Sequence, residues 1–274
     1  HKPLMSSAPV RITSPEDPRI ADYTSVRERD LTGRDGKFIV EGKVTLDVFL
    51  SRSRFRPDSI FLETGRLPVL APLLENLPDN IPVYTADQPV MDQIVGFPIH
   101  RGILACGRKD GAAPLSDWLK ARDHNTLVVA IGLSNHDNAG ALFRNSAALG
   151  GDAIILDETS CDPLYRKSIR VSAGTALWLP FHHGATADEI FNALEASGYT
   201  LWTLTPGETA SSLYEAERPE KLAIILGPEG PGLPDELIAR GKAIRIPMSI
   251  EVDSLNVATS LAIVLSQRLS KTAP

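Results

Sequence analysis

The stretch "LAIILGPEGPGLPDEL" (residues 222–237) decides the fold. It opens on an unbroken apolar run, turns through three glycines and two prolines within 227–232, and continues past Pro234, a candidate first helical residue. An apolar run without alternation fits a strand buried on both faces, as in a parallel sheet. Ligands of open parallel sheets bind outside the carboxyl ends of the strands, where this loop falls. Prolines stiffen such a loop, while glycines let a ligand touch backbone. Its order is GxxGxG, with no GK[ST], and its prolines remove N–H groups that a phosphate cradle needs. Glu229 in its middle repels phosphate and suits a cationic ligand or a hydrogen-bonding role.

Runs of the same kind stand at 126–132, 152–156, 200–205 and 242–248. Helical patterns separate them at 139–150, 185–198, 234–240 and 255–269, with Gly150 and Gly198 where left-handed C-caps are expected. The expectation is an α/β fold with helices covering a mostly parallel sheet. Upstream, "GKFIVEG" (36–42), "PDSIFLE" (57–63) and "IPVYTA" read as strands, and "KVTLDVFLS" (43–51) and "RLPVLAPLLENLP" as helices. "CGRKDGAAPLSDW" (106–118) is small, polar and Pro/Gly-containing, as a linker is. The boundaries expected are a small α/β domain at 1–107, a linker at 108–120 and a second domain at 121–274.

A length of 274 residues fits one large domain or two medium ones, and 43% hydrophobic and 23% charged content supports a packed core. No apolar run approaches the roughly 18–20 residues that span a membrane. "HKPLM" reads as an expression-vector remnant with Met5 as the expected start, and no signal peptide is expected. Cys106 and Cys161 form no CxxC pair, which points to a reducing cytoplasm, and six histidines without ligand spacing predict no metal. Net charge is −6, yet residues 1–60 hold eleven Lys/Arg against nine Asp/Glu, among them Arg27, Arg29, Arg34, Lys37, Lys43, Arg52, Arg54 and Arg56. Interleaved acids leave a mixed-charge surface and an anion-facing surface equally open there.

Two further loops of the second domain are unusual. "SNHDNAGALFRNSAALG" (134–150) follows a strand and opens a helix that Asn138 or Asp137 caps; Arg144 falls one to two turns in. "EVDSLNVATSLAIVLSQ" (251–267) places Asp253, Ser254 and Asn256 ahead of a helix apolar on most sides. Asp253 or Ser254 suffices as the N-cap, which leaves Asn256 in the first turn in need of partners. A helix apolar on most sides is buried on most sides, which predicts a homodimer through this domain.

These segments resemble, in order and spacing, the three motifs of the SpoU (TrmH-like) branch of the SPOUT methyltransferases. The matching residues are Asn138, Gly140 and Arg144; Gly227, Glu229, Gly230 and Gly232; and Ile246, Pro247, Met248, Ser254, Leu255, Asn256 and Val257. "RKSIRVSAGTALWLP" (166–180) is similar to the stretch between the first two motifs. "FIVEG" (38–42) and "GFPIHRGILA" (96–105) look like the ribosomal-protein-like RNA substrate-binding domain of many members, with Arg101 where Gln is common. The resemblance implies a C-terminal trefoil knot, a homodimer with the site at its interface, and S-adenosylmethionine-dependent 2′-O-ribose methylation of RNA, leaving S-adenosylhomocysteine. Ribosomal RNA is the expected substrate, with transfer RNA, or a non-catalytic RNA-binding protein of the same fold, as alternatives.

Carried onto this chain, the resemblance puts the cofactor against Leu204, Thr205, Gly227, Gly230, Ile246, Met248, Leu255, Asn256 and Ala258. It makes Arg144 catalytic, with Glu229, Ser254, Asn256 and Asn138 orienting it, the ribose or the cofactor. A guanidinium stays protonated at pKa values above about 12, so binding a phosphate and stabilising a developing alkoxide suits Arg144 better than acting as a base.

Overall fold

A computed structural model describes residues 8–24, 32–33, 35–94 and 102–270. Arg27, Arg29, Arg34 and Arg101, and most of the 96–105 motif, lie outside the described residues. Two compact units are present: residues up to Asp110 together with Leu164–Trp178, and Gly111–Pro163 together with Leu179 onward. In chain order the first part holds β1 (Val10–Arg11), β2 (Lys37–Glu41), α1 (Lys43–Arg52), β3 (Arg56–Glu63), α2 (Leu67–Leu74), β4 (Val83–Ala86), α3 (Gln88–Ile94) and β5 (Ile103–Arg108). Next come α4 (Leu115–Lys120), β6 (Thr126–Ala130), α5 (His136–Ala148), β7 (Ala153–Asp157), α6 (Arg166–Val171), β8 (Phe181–Ala185), α7 (Ala187–Ala196) and β9 (Thr200–Leu204). The chain closes with β10 (Ser211–Ser212), β11 (Leu222–Leu226), α8 (Asp235–Ile238), β12 (Lys242–Arg245) and α9 (Val257–Ser270).

The first unit is a five-stranded mixed sheet in the order β1-β4-β3-β5-β2, with β5 antiparallel to both its neighbours. Phe38 anchors it through edge contacts to Phe49 and Phe55. The later segment 164–178 joins this unit: Arg54 N–H donates to the Leu177 carbonyl (2.8 Å), and the Arg52 guanidinium lies 3.7 Å over the Trp178 ring. Asp22, Asp58 and Cys106 gather metal-ligand atoms within 4.8 Å of one another. Lys37 Nζ sits 2.8 Å from Asp22 and 3.6 Å from Asp58, and Arg108 Nε 2.7 Å from Asp58, so two cations already balance the two carboxylates.

The second unit is a seven-stranded sheet in the order β10-β12-β9-β11-β6-β7-β8, and every pairing is parallel. β6, β7 and β11 are buried at every position, as unbroken apolar runs require. Alternate residues serve the two layers. Leu127, Val129, Ile155 and Ile225 meet α4 and α7 through Trp118, Ile190 and Phe191. The other face receives α5 and α9, which touch β7 and β11 and pack on each other. Gly150 (φ 85°) and Gly198 (φ 81°) take the left-handed conformation expected after α5 and α7.

Several expectations need correction. β12 is buried only at Ile244, because its single neighbour beyond β9 is the two-residue β10. Within the stretch assigned to the linker, 115–120 forms α4, held by buried Leu115, Trp118 and Leu119. Helix α8 begins at Asp235, after Pro234. α9 is buried at Ala258, Leu261, Val264 and Leu265 but only half-buried at Val257, Ala262 and Ile263.

Candidate functional site

Strands β6 and β11 are neighbours, and the chain leaves them in opposite directions: from β6 to β7 on one side, from β11 to β12 beyond β9 on the other. Their following loops diverge and leave a crevice at the carboxyl edge, the switch point where parallel sheets take ligands. A cavity of about 450 Å³ opens there. The loop after β11 is tightly folded. A Cβ on Gly227 would meet Leu233 N at 2.3 Å, and Gly230 (φ 89°) and Gly232 (φ 71°) are left-handed, where other residues are strained.

Glu229 reaches from this loop to the loop after β6. Its carboxylate accepts from Ser134 N–H (3.3 Å), Ser134 Oγ (3.4 Å), Asn135 N–H (3.2 Å) and Asn138 Nδ2 (3.0 Å). Burial raises its pKa, but the hydrogen bonds from Asn138 and the backbone outweigh burial, and the net value falls below the ordinary one. Glu229 is therefore ionised at neutral pH. It is also the one charged side chain among the described residues that line the cavity.

Asn138 joins the motifs. While Nδ2 donates to Glu229, Oδ1 accepts from Asn256 Nδ2 at 2.9 Å. Asn256 Oδ1 in turn accepts from the N–H groups of Ala258 (2.9 Å) and Thr259 (3.1 Å). Asn256, not Asp253 or Ser254, is thus the N-cap of α9. The cap of α5 is likewise Asn135, whose side chain accepts from Asp137 and Asn138 N–H, rather than Asn138 or Asp137. One directed chain of hydrogen bonds ties together all three motifs.

Of the residues expected in the site, Asn138, Glu229, Ser254 and Asn256 line the cavity, as do Leu204, Thr205, Gly227, Gly230, Ile246, Met248 and Leu255. Two do not. Ala258 is buried, and its carbonyl accepts from Asn145 Nδ2 (3.0 Å). Arg144 is exposed on α5, away from the lining, with no hydrogen bond among the described residues. Sequence reasoning missed Asn135, Pro206, Leu226, Ile244 and Ser260. Asn135 carried a signal, a capping residue type ahead of the helix; Leu226 and Ile244 stand in strands, Pro206 in a loop and Ser260 within α9, with no distinguishing chemistry.

Comparison with known proteins follows the same outline. The profile of the SpoU rRNA Methylase family matches residues 125–266. A tRNA/rRNA methyltransferase of Mycobacterium tuberculosis is 35% identical over 266 residues, covering 94% of this chain and 90% of the relative. The 23S rRNA (guanosine-2′-O-)-methyltransferase RlmB of Escherichia coli is 27% identical over 240 residues, covering 83% and 96%. An AdoMet-bound rRNA methyltransferase from Sinorhizobium meliloti superposes with a TM-score of 0.80 at 19% identity, covering 96% and 98%, a likeness of fold. A profile spanning more than half of the chain, and a relative at 35% identity across nearly all of it, establish that the chain belongs to the SpoU rRNA methylase family.

Proposed function

We propose that the protein is a cytoplasmic, S-adenosylmethionine-dependent RNA 2′-O-ribose methyltransferase that acts on ribosomal RNA as a homodimer. The observation that carries this reading is the cavity lining: among the described residues it combines apolar and neutral polar side chains, folded backbone and a single charged group, which is anionic. A site of this volume suits a nucleoside-sized ligand. The absence of Lys and Arg from the lining disfavours a polyphosphate, and the Glu229 carboxylate complements a sulfonium and an ammonium. Family membership and the printed 2′-O-methylation activity of RlmB support the same assignment.

Leu204, Ile246, Met248 and Leu255 would flank the adenine, while backbone at Gly227 and Gly230 permits close approach. The bound cofactor supplies an electrophilic methyl group. The protein's task is to align the ribose oxygen with it and stabilise charge as the hydroxyl loses its proton. Among the described residues of the lining, no cation serves that purpose. In this reading the partner's Arg144 enters the cavity, its planar fork holding the adjacent phosphate and stabilising the developing alkoxide. Ser254 orients the ribose, and the Asn256–Asn138–Glu229 chain keeps the entrance in place. The trefoil knot and the RNA-binding role of the first unit belong to the same proposal. A transfer-RNA substrate is the second reading, favoured by the mycobacterial relative's tRNA/rRNA designation; methylation assays on both RNAs separate the two. Calorimetry should show S-adenosylmethionine binding to the wild type and weakened binding to Glu229→Gln. Absence of binding to the wild type would contradict the reading.

A further inference from the structure

Past the end of β6, Ile131 N–H makes the last ladder bond, to the Leu226 carbonyl (2.9 Å). The next four amides, Gly132 to Asn135, find side-chain acceptors instead. Ser134 and Asn135 donate to Glu229. Gly132 N–H donates to Asp157 Oδ1 (2.9 Å) and Leu133 N–H to Ser160 Oγ (2.9 Å). Ser160 Oγ lies 2.7 Å from Asp157 Oδ1 and 3.3 Å from the Ala130 carbonyl, so its one proton goes to the nearer carboxylate. Both side chains are buried, at 3% and 5% exposure. Ser160 N–H (3.1 Å) and Thr159 Oγ1 (2.7 Å) also donate to Asp157, which is what a buried carboxylate requires. From outside the loop, His183 Nε2 donates to the Ser160 carbonyl (2.9 Å), and Cys161 N–H to the Leu133 carbonyl (2.8 Å).

The four consecutive amides are therefore held by two carboxylates, 134–135 by Glu229 and 132–133 by Asp157, with Ser160 relaying the contact from Leu133 to Asp157. Neither Asp157 nor Ser160 lines the cavity. Each acts through the loop, whose next residues, Asn135 and Asn138, do line it. We propose that Asp157 and Ser160 are positioning residues for cofactor binding: they fix the loop after β6 so that Glu229 and Asn138 face the cavity in one arrangement. This rests on reading the cavity as the S-adenosylmethionine site. Without the Ser160 hydroxyl, Leu133 N–H is a buried donor with no acceptor, and the loop shifts to satisfy it.

The test measures S-adenosylmethionine affinity by calorimetry on the full chain. Ser160→Ala should raise Kd roughly tenfold while leaving KM for RNA within about twofold. Asp157→Asn, which keeps an oxygen for Gly132 and Ser160, should stay within about threefold of the wild type. Combined with Glu229→Gln, Ser160→Ala should have a less than multiplicative effect, because both changes release the same loop. An unchanged Kd with a lowered Tm, or fully multiplicative effects, would overturn the positioning role alone. A wild type that does not bind S-adenosylmethionine would overturn the reading of the cavity, and this inference with it.

Discussion

Asn256 uses both ends of its amide: Oδ1 caps α9, and Nδ2 holds Asn138. The two duties separate by substitution. Asn256→Asp keeps a capping oxygen and loses the donor, so it should retain stability to within about 0.5 kcal/mol yet lower turnover at least tenfold. Asn256→Ala should cost about 1 kcal/mol in addition. Thermal melts and single-turnover rates check both, and full activity in Asn256→Asp would reduce Asn256 to a cap. Arg144 makes the complementary case. Arg144→Lys should bind S-adenosylmethionine like the wild type, because the proposed role of the guanidinium is on the RNA phosphate and ribose oxygen and not on the cofactor, and lose most turnover, because the planar fork is gone. Near-full turnover in the lysine variant would exclude that role. The sequence offers Asp253 and Ser254 as caps and puts Asn256 in the first turn, because Asp, Ser and Asn cap about equally well and local pattern does not separate them. The choice is made by Asn138, 118 positions away, a contact that local pattern does not encode.

At the scale of elements, the glycine-proline loop and the start of the second unit carry the sharpest expectations. Gly227→Ala would drive a Cβ into Leu233 N at 2.3 Å. Because the obstacle is backbone, the loop must open, costing about 2 kcal/mol or more and weakening cofactor binding; unchanged Tm and Kd would mean the loop yields freely. On the α4 side, Trp118 lies between His124 (5.7 Å) and His182 (5.9 Å). His182 Nε2 donates to the Ala113 carbonyl, and neither His182 Nδ1 nor His124 Nε2 has a partner among the described residues. Burial lowers the pKa of both rings below 6.5. The unfolded chain therefore binds more protons as pH falls through 6.5, so this stabilisation is complete above that pH and lost below it. Tm should decline between pH 7.5 and 5.5, and less steeply in His182→Gln; equal slopes would contradict this account. The unbroken strands β6, β7 and β11 were legible because burial on both faces leaves no alternation. β8 was not, since His182, His183 and Gly184 interrupt its apolar character. Nor was α4, although Leu115, Trp118 and Leu119 have helical spacing, because Gly107, Gly111 and Pro114 before it give the stretch the small, polar look of a linker.

At the scale of the whole molecule, the cavity brings three sequence-distant motifs to one edge of a parallel sheet, and two predicted residues, Arg144 and Ala258, remain outside its lining. Order and spacing of the motifs made the family legible, whereas the apolar pattern of α9 carried only an expectation of self-association. Ile250 is fully exposed and Val252 half-exposed just before α9, with Ala262 and Ile263 half-buried along it. Sedimentation should give about twice the 29.6 kDa chain mass, and a monomer at micromolar concentration would remove the partner's Arg144 from the mechanism. The claim on which the rest depends is transfer of a methyl group to a ribose oxygen. Incubation of unmethylated ribosomal RNA with the protein and methyl-labelled S-adenosylmethionine, followed by alkaline hydrolysis, tests it directly. A 2′-O-methyl blocks cleavage at its own phosphodiester, so the label should be recovered in an alkali-resistant dinucleotide. Label on a free base or mononucleotide, or none in RNA at all, would contradict the account.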